Sequence, residues 1–168
     1  MDELLKKLKE LGVVQKSIVT LASKNSSNFY INMKKAFGYP QILLALCDRI
    51  GPYIDKSTTC IASMGYGGIP PCTTLSNKHD WKHALIRDIP KQHGLGLLIE
   101  GHMPTPEDRV AVFDDVFTTG GSIRKIISTI QQSGAYIVGA YAFVKRGEGN
   151  LDIPLHYIFT AGELLGNE

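Results

Sequence analysis

Apolar positions in the first forty residues repeat at two different spacings. Four leucines near the N-terminus recur every three to four residues, as on one face of a helix: Leu4, Leu5, Leu8 and Leu11. Gly12 follows directly and is a residue at which helices commonly end. The segment 17–33, SIVTLASKNSSNFYINM, predicts two short strands around a polar turn at residues 24–27. The chain is therefore expected to open with a helix and a hairpin.

Three further helices follow from the same spacing argument. Pro40 suits the first turn of a helix because its ring fixes φ, and this helix is expected to end at Gly51. Its apolar face consists of Ile42, Leu43, Leu46 and Ile50. Another helix follows residues 120–121 and ends at Gly134. Its apolar face consists of Ile123, Ile126, Ile127 and Ile130. Between these two, a helix is predicted over about residues 69–77.

Apolar runs between the helices predict strands at residues 58–63, 81–87, 96–101, 109–113, 135–144 and 156–160. The run at 109–113 is continuous, as in a strand that is buried on both faces. Because strands alternate with helices, the predicted fold is α/β, with a central, mostly parallel sheet flanked by helices. Ligands of such folds bind beyond the carboxyl ends of the strands.

Composition narrows the class of protein without identifying it. The 168 residues are 43% hydrophobic and 20% charged, which is ordinary for a globular domain with one sizeable core. A net charge of +2 is too small to indicate nucleic-acid binding, and no apolar run is long enough for a membrane helix. The N-terminus lacks the apolar core of a signal peptide. Cys47, Cys60 and Cys72 are isolated and odd in number, which favours reduced thiols and a cytoplasmic location.

Chemistry concentrates where the strand at 109–113 ends in Asp114-Asp115. Two adjacent carboxylates repel one another and resist desolvation, so they need hydrogen-bond donors or a cation. The neighbouring hydroxyls of a ribose supply such donors. The following TTGGS turn, residues 118–122, precedes a helix, and its backbone N–H groups and hydroxyls suit an anion. A sugar 5-phosphate satisfies both requirements.

Other readings of this segment explain less of it. A simple strand-to-helix turn capped by Thr or Ser accounts for TTGGS but not for the acidic pair before it. A P-loop requires a Lys after its second Gly, and a dinucleotide fold requires GxGxxG after an early strand; neither pattern is present. A phosphate-accepting receiver domain carries its acidic pair near the N-terminus, whereas more than a hundred residues precede this one.

The segment FDDVFTTGGS resembles the motif with which type I phosphoribosyltransferases bind phosphoribosyl pyrophosphate (PRPP). The resemblance implies that the two acids hold the ribose hydroxyls and that the turn holds the 5-phosphate. The implied PRPP contacts are Asp114, Asp115, Val116, Phe117, Thr118, Thr119, Gly120, Gly121 and Ser122. It extends over about residues 3–165 and implies a hood of about residues 1–35 plus the C-terminal segment, on a core of about residues 36–150.

Two other segments resemble parts of the same family. Gly65, Tyr66 and Gly67 resemble its pyrophosphate loop, although a tight glycine turn explains them equally simply. The segment 87–96 resembles the mobile loop of orotate phosphoribosyltransferases, with the pattern Arg-Lys-x-x-Lys-x-His-Gly, although it also suits a solvated surface loop. Its matching residues are Arg87, Lys91, His93 and Gly94. Asp88 stands where the family has a Lys, which removes one cationic contact.

The hairpin and the end of the strand at 135–144 carry the resemblance to the base-binding site. Tyr30 and Ile31, together with Thr118, are implied to contact orotate. Arg146 matches the family's orotate-binding arginine, although Lys145 stands where the family has an Asp and a lone Arg after a strand is commonly a surface residue. In the hairpin, Ala22 and Lys24 replace the family's Lys and Gly, and Lys24 is expected to contact PRPP instead.

The implied activity is that of an orotate phosphoribosyltransferase of pyrimidine nucleotide biosynthesis. PRPP and orotate would give orotidine 5′-monophosphate and pyrophosphate, with Lys91, His93, Asp114 and Asp115 as catalytic residues. Mg²⁺ is the expected cofactor, bound mainly through PRPP. A homodimer that shares the loop 87–96 between subunits is implied, without a membrane or nucleic-acid partner. The alternatives are transfer to a purine or other base, and a PRPP-sensing regulator without catalysis.

Overall fold

In the computed structural model, which describes residues 2–15, 19–20, 26–27, 29–89 and 98–166, the chain begins with helix α1 (Glu3–Glu10). The Asp2 carboxylate accepts hydrogen bonds from the backbone N–H groups of Leu4 and Leu5, at 3.0 and 3.3 Å, and thus caps the helix. The predicted leucine face is confirmed, since Leu5 and Leu8 are buried. The helix ends, as predicted, before Gly12, whose φ is +62°.

Four strands of two residues each follow instead of the predicted pair: β1 (Val14–Gln15), β2 (Val19–Thr20), β3 (Ser26–Ser27) and β4 (Tyr30–Ile31). The strands pair as nested antiparallel hairpins, β1 with β4 and β2 with β3. The predicted turn at 24–27 is therefore wrong in its second half. Serine favours turns only weakly, and pairing with β2 supplies partners for the backbone of β3.

Three helical segments lead from the hairpins to the sheet: α2 (Lys34–Phe37), α3 (Pro40–Ile50) and a 3₁₀ turn (Gly51–Tyr53). The prediction for α3 is confirmed, including Pro40 in its first turn and a buried face that contains Leu46 and Ile50.

The sheet and its crossover helices occupy the rest of the chain. In order they are β5 (Cys60–Met64), α4 (Gly65–His79), β6 (Lys82–Ile86), β7 (Ile99–Gly101), β8 (Arg109–Phe117), α5 (Gly121–Gln131), β9 (Tyr136–Lys145), β10 (Leu155–Thr160) and α6 (Ala161–Leu165). The strand order is β10-β9-β8-β5-β6-β7, and every neighbouring pair is parallel except β6 and β7. The predicted α/β fold with a mostly parallel sheet is confirmed. Of the described helices, none is long and apolar enough to cross a membrane.

Two hydrophobic clusters cover the two faces of the sheet. Residues from α1, α3 and α4 pack with one face: Leu8, Leu46, Leu75, Ala111 and Phe113 are among them. Residues from α5 pack with the other face: Val110, Val112, Ile123, Ile126 and Ile130 are among them. Because alternate residues of β8 enter opposite clusters, this strand is buried on both faces, as the continuous apolar run predicts.

Helix α4 begins four residues earlier than predicted, at Gly65 rather than at residue 69. Gly65 has φ of +65°, which allows the chain to turn directly from β5 into the helix. Glycine weakens a helix by about 1 kcal/mol relative to alanine, and the glycine-rich segment therefore resembles a loop. Packing of the buried Cys72 and Leu75 against the sheet holds the helix nevertheless.

Strand β8 is longer than predicted and continues through the acidic pair to Phe117. Its ladder with β9 persists to the end, where Phe117 lies opposite Lys145. Phe113 and Phe117 lie in different clusters, although residues four apart in a regular strand share a face. The register with β9 is nevertheless constant from Ala111 to Phe117, and its shift lies between Val110 and Ala111.

The short helix α6 was not predicted. The Thr160 hydroxyl accepts from the backbone N–H of Glu163, at 3.2 Å, and the Glu163 carboxylate accepts from the backbone N–H of Thr160, at 2.6 Å. This capping box stabilises the first turn of the helix. The division into a hood and a core stays a prediction.

Candidate active site

A cleft of about 620 Å³ opens at the carboxyl ends of β5 and β8. The chain turns to one side of the sheet after β5 and to the other side after β8, and such a switch point is where open α/β sheets bind ligands. Predicted site residues from five segments border the cleft: Tyr30, Ile31, Gly65, Gly67, Asp114, Asp115, Val116, Thr118, Thr119, Gly121, Ser122 and Arg146. The fold therefore brings most of the predicted site together.

Some predicted residues do not present their side chains to this cleft. Tyr66 is 85% exposed on α4, whereas Phe117 is 1% exposed and packs in the core beside α5. Gly120 precedes α5 as its N-terminal cap. Arg87 forms an ion pair with Glu100, at 3.4 Å, at the ends of β6 and β7. The predicted contacts Lys24, Lys91 and His93 lie outside the described residues.

The carboxylate of Asp115 is held from two sides. Its Oδ1 atom accepts a hydrogen bond from the backbone N–H of Val116, at 3.0 Å. Its Oδ2 atom lies 3.4 Å from Nζ of Lys34, and the Asp115 side chain is 10% exposed. Lys34 is the first residue of α2 and also borders the cleft. The acid therefore reaches the cleft with a defined orientation and a cationic partner.

Asp114 has a different environment from its neighbour. Its Oδ1 atom accepts a hydrogen bond from the backbone N–H of Asp115, at 2.9 Å. Burial, and after it the negative charge of Asp115, raises the pKa of Asp114 to about 7. Near neutral pH the pair can thus gain or lose a proton when a ligand binds.

Gly67 leaves the room that Asp115 occupies. A Cβ atom at this position would lie 2.4 Å from Oδ1 of Asp115, which is shorter than any tolerable contact. A larger residue at position 67 would therefore require the Asp115 side chain to shift. The glycine-rich segment forms the first turn of α4, and its role as a pyrophosphate loop stays a prediction.

The TTGGS segment forms the start of α5, as predicted. Gly120 has φ of +82°, a conformation that favours glycine, and α5 begins at Gly121. The helices α4 and α5 both begin at the cleft, at Gly65 and Gly121. Each helix start presents backbone N–H groups without intrahelical partners and the positive end of the helix dipole. The cleft therefore offers two separate places for anionic groups, on either side of the acidic pair.

Residues 147–150, which were not predicted to belong to the site, pack against the TTGGS turn at residues 118–122. Cβ atoms at Gly147 and Gly149 would lie 2.6 and 2.7 Å from backbone atoms of Thr118 and Thr119, respectively. The Arg124 guanidinium donates to the carbonyl oxygen of Asn150, at 2.8 Å, and also to that of Thr119. The sequence signal was the GEG pattern directly after Arg146.

Arg146 is anchored and is not the solvated surface residue that its isolated position allowed. Its backbone N–H donates to the carbonyl oxygen of Phe117, at 2.8 Å. Its guanidinium donates to the carbonyl oxygen of Phe29, at 2.9 Å, and lies 4.4 Å from the centre of the Phe29 ring. Burial lowers the pKa of Arg146, while the nearby Tyr30 opposes this shift. These contacts hold the arginine at the cleft beside Tyr30 and Ile31.

Lys34 is the clearest omission of the sequence analysis. Burial alone would lower the pKa of its ammonium group, but the charge of Asp115 raises it above the ordinary value. The available signal was the acidic pair itself, which requires donors or a cation. Lys34 lies 81 positions before Asp115, so nothing in the sequence indicated which lysine would supply the charge.

Asp88, the departure from the family's loop pattern, borders the cleft and pairs with Lys125 on α5. The Lys125 ammonium donates to the carboxylate of Asp88 and to its backbone carbonyl. An acid at this position therefore finds a partner within the same chain. Asp88 thus removes the positive charge that the family's Lys would bring, and its ion pair with Lys125 connects the start of the loop to α5.

The sequence of this chain is similar to those of known orotate phosphoribosyltransferases. No protein-family model matches the chain. The orotate phosphoribosyltransferase of Pyrococcus abyssi is 34% identical over 155 residues, which cover 88% of this chain and 82% of that protein. The enzyme of the same name from Methanothermobacter thermautotrophicus is 35% identical over 150 residues, which cover 89% and 82% of the two chains.

Solved structures agree with the sequence relatives. The crystal structure of orotate phosphoribosyltransferase from Aeropyrum pernix has a TM-score of 0.79 and 27% identity to this chain. The match covers 97% of this chain and 96% of that one, so the fold is shared from end to end. With two relatives above 30% identity over most of both chains, the chain belongs to the orotate phosphoribosyltransferase family.

Proposed function

We propose that this protein transfers the 5-phosphoribosyl group of PRPP to orotate, which gives orotidine 5′-monophosphate and pyrophosphate. The observation that carries the proposal is one cleft in which two helix starts, at Gly65 and Gly121, flank the acids Asp114 and Asp115. PRPP has the matching chemistry, since a ribose diol separates a 5-phosphate from a 1-pyrophosphate. Membership of the orotate phosphoribosyltransferase family supports orotate as the acceptor.

PRPP binds along the carboxyl ends of the sheet in this proposal. The start of α5, with the hydroxyls of Thr118, Thr119 and Ser122, holds the 5-phosphate. Asp114 and Asp115 accept hydrogen bonds from the 2′- and 3′-hydroxyls of the ribose. The start of α4 then faces the pyrophosphate, to which the loop residues Arg87, Lys91 and His93, together with Lys24, add positive charge or hydrogen bonds.

Orotate binds on the side of the cleft formed by the N-terminal strands. The residues proposed for this contact are Tyr30, Ile31, Thr118 and Arg146. Arg146 brings a positive charge that suits the carboxylate of orotate. Its bond to Phe29 connects it to the segment that carries Tyr30 and Ile31, so the base site is assembled from both ends of the chain.

The chain's own residues lower the barrier by positioning and by charge. Cleavage of the bond between C1 of the ribose and the pyrophosphate leaves an oxocarbenium-like sugar and a more negative leaving group. Asp114 and Asp115 fix the ribose so that C1 faces the orotate nitrogen, which is worth several kcal/mol in a well-oriented reaction. Lys91 stabilises the departing charge, and His93 donates a hydrogen bond or a proton to it.

Mg²⁺ fits this cleft as a cofactor that arrives with PRPP. A Cβ atom built on Gly65 would meet nothing within 4 Å, so the start of α4 leaves space for an ion. Asp88 also borders the cleft, and its carboxylate oxygens are the ligand type that Mg²⁺ prefers. The pyrophosphate and ribose oxygens of PRPP would supply most of its ligands. Such an ion would supply positive charge that offsets part of the charge of the leaving group.

The proposal includes a homodimer in which the loop 87–96 of one subunit serves the site of the other. It also includes a cytoplasmic location, which the three free, buried cysteines suit because a reducing compartment keeps thiols unpaired.

The decisive experiment measures pyrophosphate release from Mg²⁺–PRPP in the presence of orotate, uracil, hypoxanthine, guanine or adenine. We expect turnover with orotate alone, because Arg146 favours a base that carries a carboxylate. Preferred turnover of a purine would show that the acceptor is a purine and not orotate, while the proposed PRPP site would stand. Turnover of none of these bases, with PRPP binding retained in calorimetry, would indicate a regulator.

A further inference from the structure

Lys34 lies next to the proposed ribose-binding acid without having a role in the reaction described so far. It opens α2, which follows the N-terminal hairpins, and its Nζ atom lies 3.4 Å from Oδ2 of Asp115. Its side chain is 41% exposed, whereas that of Asp115 is 10% exposed. The pair therefore lies at the wall of the cleft, where solvent screens it only in part.

The other contacts of Asp115 show what Lys34 adds. Oδ1 is occupied by the backbone N–H of Val116, at 3.0 Å, and faces Gly67 so closely that no side chain fits there. Val116 and Gly67 thus restrict Oδ1 of Asp115, whereas neither β8 nor α4 provides a hydrogen-bond partner for Oδ2. Lys34 is the partner of that second oxygen. Each carboxylate oxygen can accept more than one hydrogen bond, so a ribose hydroxyl can join without displacing either contact.

Charge gives Lys34 a second effect on the pair. Asp114 and Asp115 are adjacent, and the negative charge of Asp115 disfavours ionisation of Asp114. Among the cationic side chains that the structure describes, Lys34 is the one that forms an ion pair with either acid. Lys34 on α2, Cys72 on α4 and Ser122 on α5 face the two acids, and Tyr30 on β4 lies beside Lys34. A nearby cation keeps a carboxylate able to accept hydrogen bonds from a sugar.

We infer that Lys34 is a positioning residue for PRPP: its ammonium group holds the carboxylate of Asp115 in the orientation that binds the ribose. This inference rests on the proposed function, because it assigns the ribose to Asp115. It also links the hairpin segment to the PRPP side of the cleft, since α2 follows β4, whose residues Tyr30 and Ile31 border the proposed orotate site.

The neighbouring lysine provides a matched control. Lys35 belongs to the same turn of α2 and has the same charge, but its Nζ atom donates to the carbonyl oxygen of Gly12, at 3.0 Å, and lies outside the cleft. Replacing either lysine by methionine removes one charge and keeps a similar chain length. Only the change at residue 34 removes the partner of Asp115.

The test is calorimetry of PRPP binding with steady-state kinetics. We expect Lys34→Met to raise the PRPP dissociation constant about tenfold or more, since a hydrogen bond to a charged group is lost. Lys34→Arg should restore most of the affinity, and Lys35→Met should stay within about twofold of the unmodified protein. The KM for orotate should change less than the PRPP dissociation constant, although Lys34 also lies beside Tyr30.

A double-mutant cycle with Asp115→Asn tests the coupling directly. Once residue 115 is neutral, Lys34→Met should cause little further loss of affinity. The inference is overturned if Lys34→Met binds PRPP as Lys35→Met does, if its effect persists undiminished in the Asp115→Asn protein, or if only the KM for orotate rises. Absence of PRPP binding by the unmodified protein would overturn the proposed function and this inference with it, and is distinguishable from the other three results.

Discussion

Asp114 and Asp115 stand side by side in the chain but have different partners. Asp115 accepts from Val116 and Lys34, and it needs the empty space above Gly67. Asp114 accepts from the backbone N–H of Asp115 and has a pKa raised to about 7 by burial and by its neighbour's charge. The site that we propose for a sugar diol thus contains an unfavourable interaction between its two acids.

Asp114→Asn should stabilise the folded protein at high pH. The folded pKa of about 7 lies above the ordinary value of 3.8, so stability is greatest below 3.8 and is lost as the pH rises through 7. The Asn side chain does not ionise, so the variant keeps this stability at high pH. We expect its free energy of unfolding to exceed that of the unmodified protein by on the order of 2 kcal/mol at pH 8, and by less toward pH 4. Urea unfolding at both pH values measures it. Asp152→Asn, at an exposed position, should show no such difference; an equal gain at both pH values would contradict the prediction.

Gly67→Ala should weaken PRPP binding by about tenfold or more, because the new methyl group displaces a carboxylate that hydrogen-bonds the ribose. The added Cβ would lie 2.4 Å from Oδ1 of Asp115. Gly38→Ala is the control, since a Cβ there meets its nearest atom at 3.5 Å. Calorimetry with PRPP compares the two variants. Equal affinities would show that Asp115 adapts at no cost to binding.

At the scale of elements, the two ends of the sheet have different tasks. The carboxyl ends of β5 and β8 carry the proposed site, where α4 and α5 begin. At the opposite edge, Asp108 is 1% exposed and joins the starts of several strands. Its carboxylate accepts from the hydroxyl of Thr59 at 3.1 Å, from Lys82 at 3.0 Å, from His102 at 2.7 Å and from the backbone N–H of Thr105 at 2.9 Å. These contacts keep β5, β6 and β8 aligned.

Asp108→Asn should cost about 2–4 kcal/mol of unfolding free energy at pH 7, because several donors lose a charged partner in a buried place. Burial alone would raise the pKa of Asp108, but bonds from His102, Thr105, Lys82 and Thr59 hold it well below its usual range. The stabilisation is therefore complete above the ordinary value of 3.8 and is lost as the pH falls toward the folded pKa.

Urea unfolding of Asp108→Asn at pH 7 and at pH 3 measures both effects. Asp48→Asn serves as the control, since Asp48 pairs with Lys78 while 58% of its side chain is exposed, and such pairs contribute at most about 1 kcal/mol. The role of Asp108 is refuted if the two variants unfold at the same urea concentration.

At the scale of the whole molecule, the N-terminal segment contacts the C-terminal part of the described chain at two places. Arg146 follows β9 and bonds to Phe29 of the N-terminal segment, while α1 packs near α6. Lys91 and His93 belong to the loop 87–96, which we propose to serve the neighbouring subunit of a dimer. A dimer would therefore complete each site with residues of the partner.

Mixing two inactive variants tests the shared loop. Lys91→Ala removes the loop cation and Asp115→Asn impairs the ribose site, so each pure dimer should be nearly inactive. In a mixed dimer with exchanged loops, one site has both intact residues, and an equal mixture should recover about a quarter of full activity. Sedimentation should show twice the mass of the chain. A mixture without recovery, although subunits exchange, would show that each loop serves its own subunit.

Local sequence determined the helices α1, α3 and α5, the order of the strands along the chain and the PRPP motif at 114–122. These features depend on periodicity and on neighbouring residues, so one segment contains the whole signal. Local propensity failed at α4, where packing makes a helix of a glycine-rich segment, and at β8, where pairing with β9 extends the strand through two acids. The hairpin strands and α6 are too short for a periodic signal.

Tertiary structure alone decided which distant residues share the cleft. Lys34 forms an ion pair with Asp115, and Gly67 leaves room for that acid. Gly147 and Gly149 pack against the TTGGS turn. None of these contacts has a signature, because many surface lysines and turn glycines look the same in a sequence. The motif thus predicted a ligand with a ribose and a phosphate from sequence alone. Lys34, the cation beside Asp115, became apparent only when the folded chain brought together residues 81 positions apart.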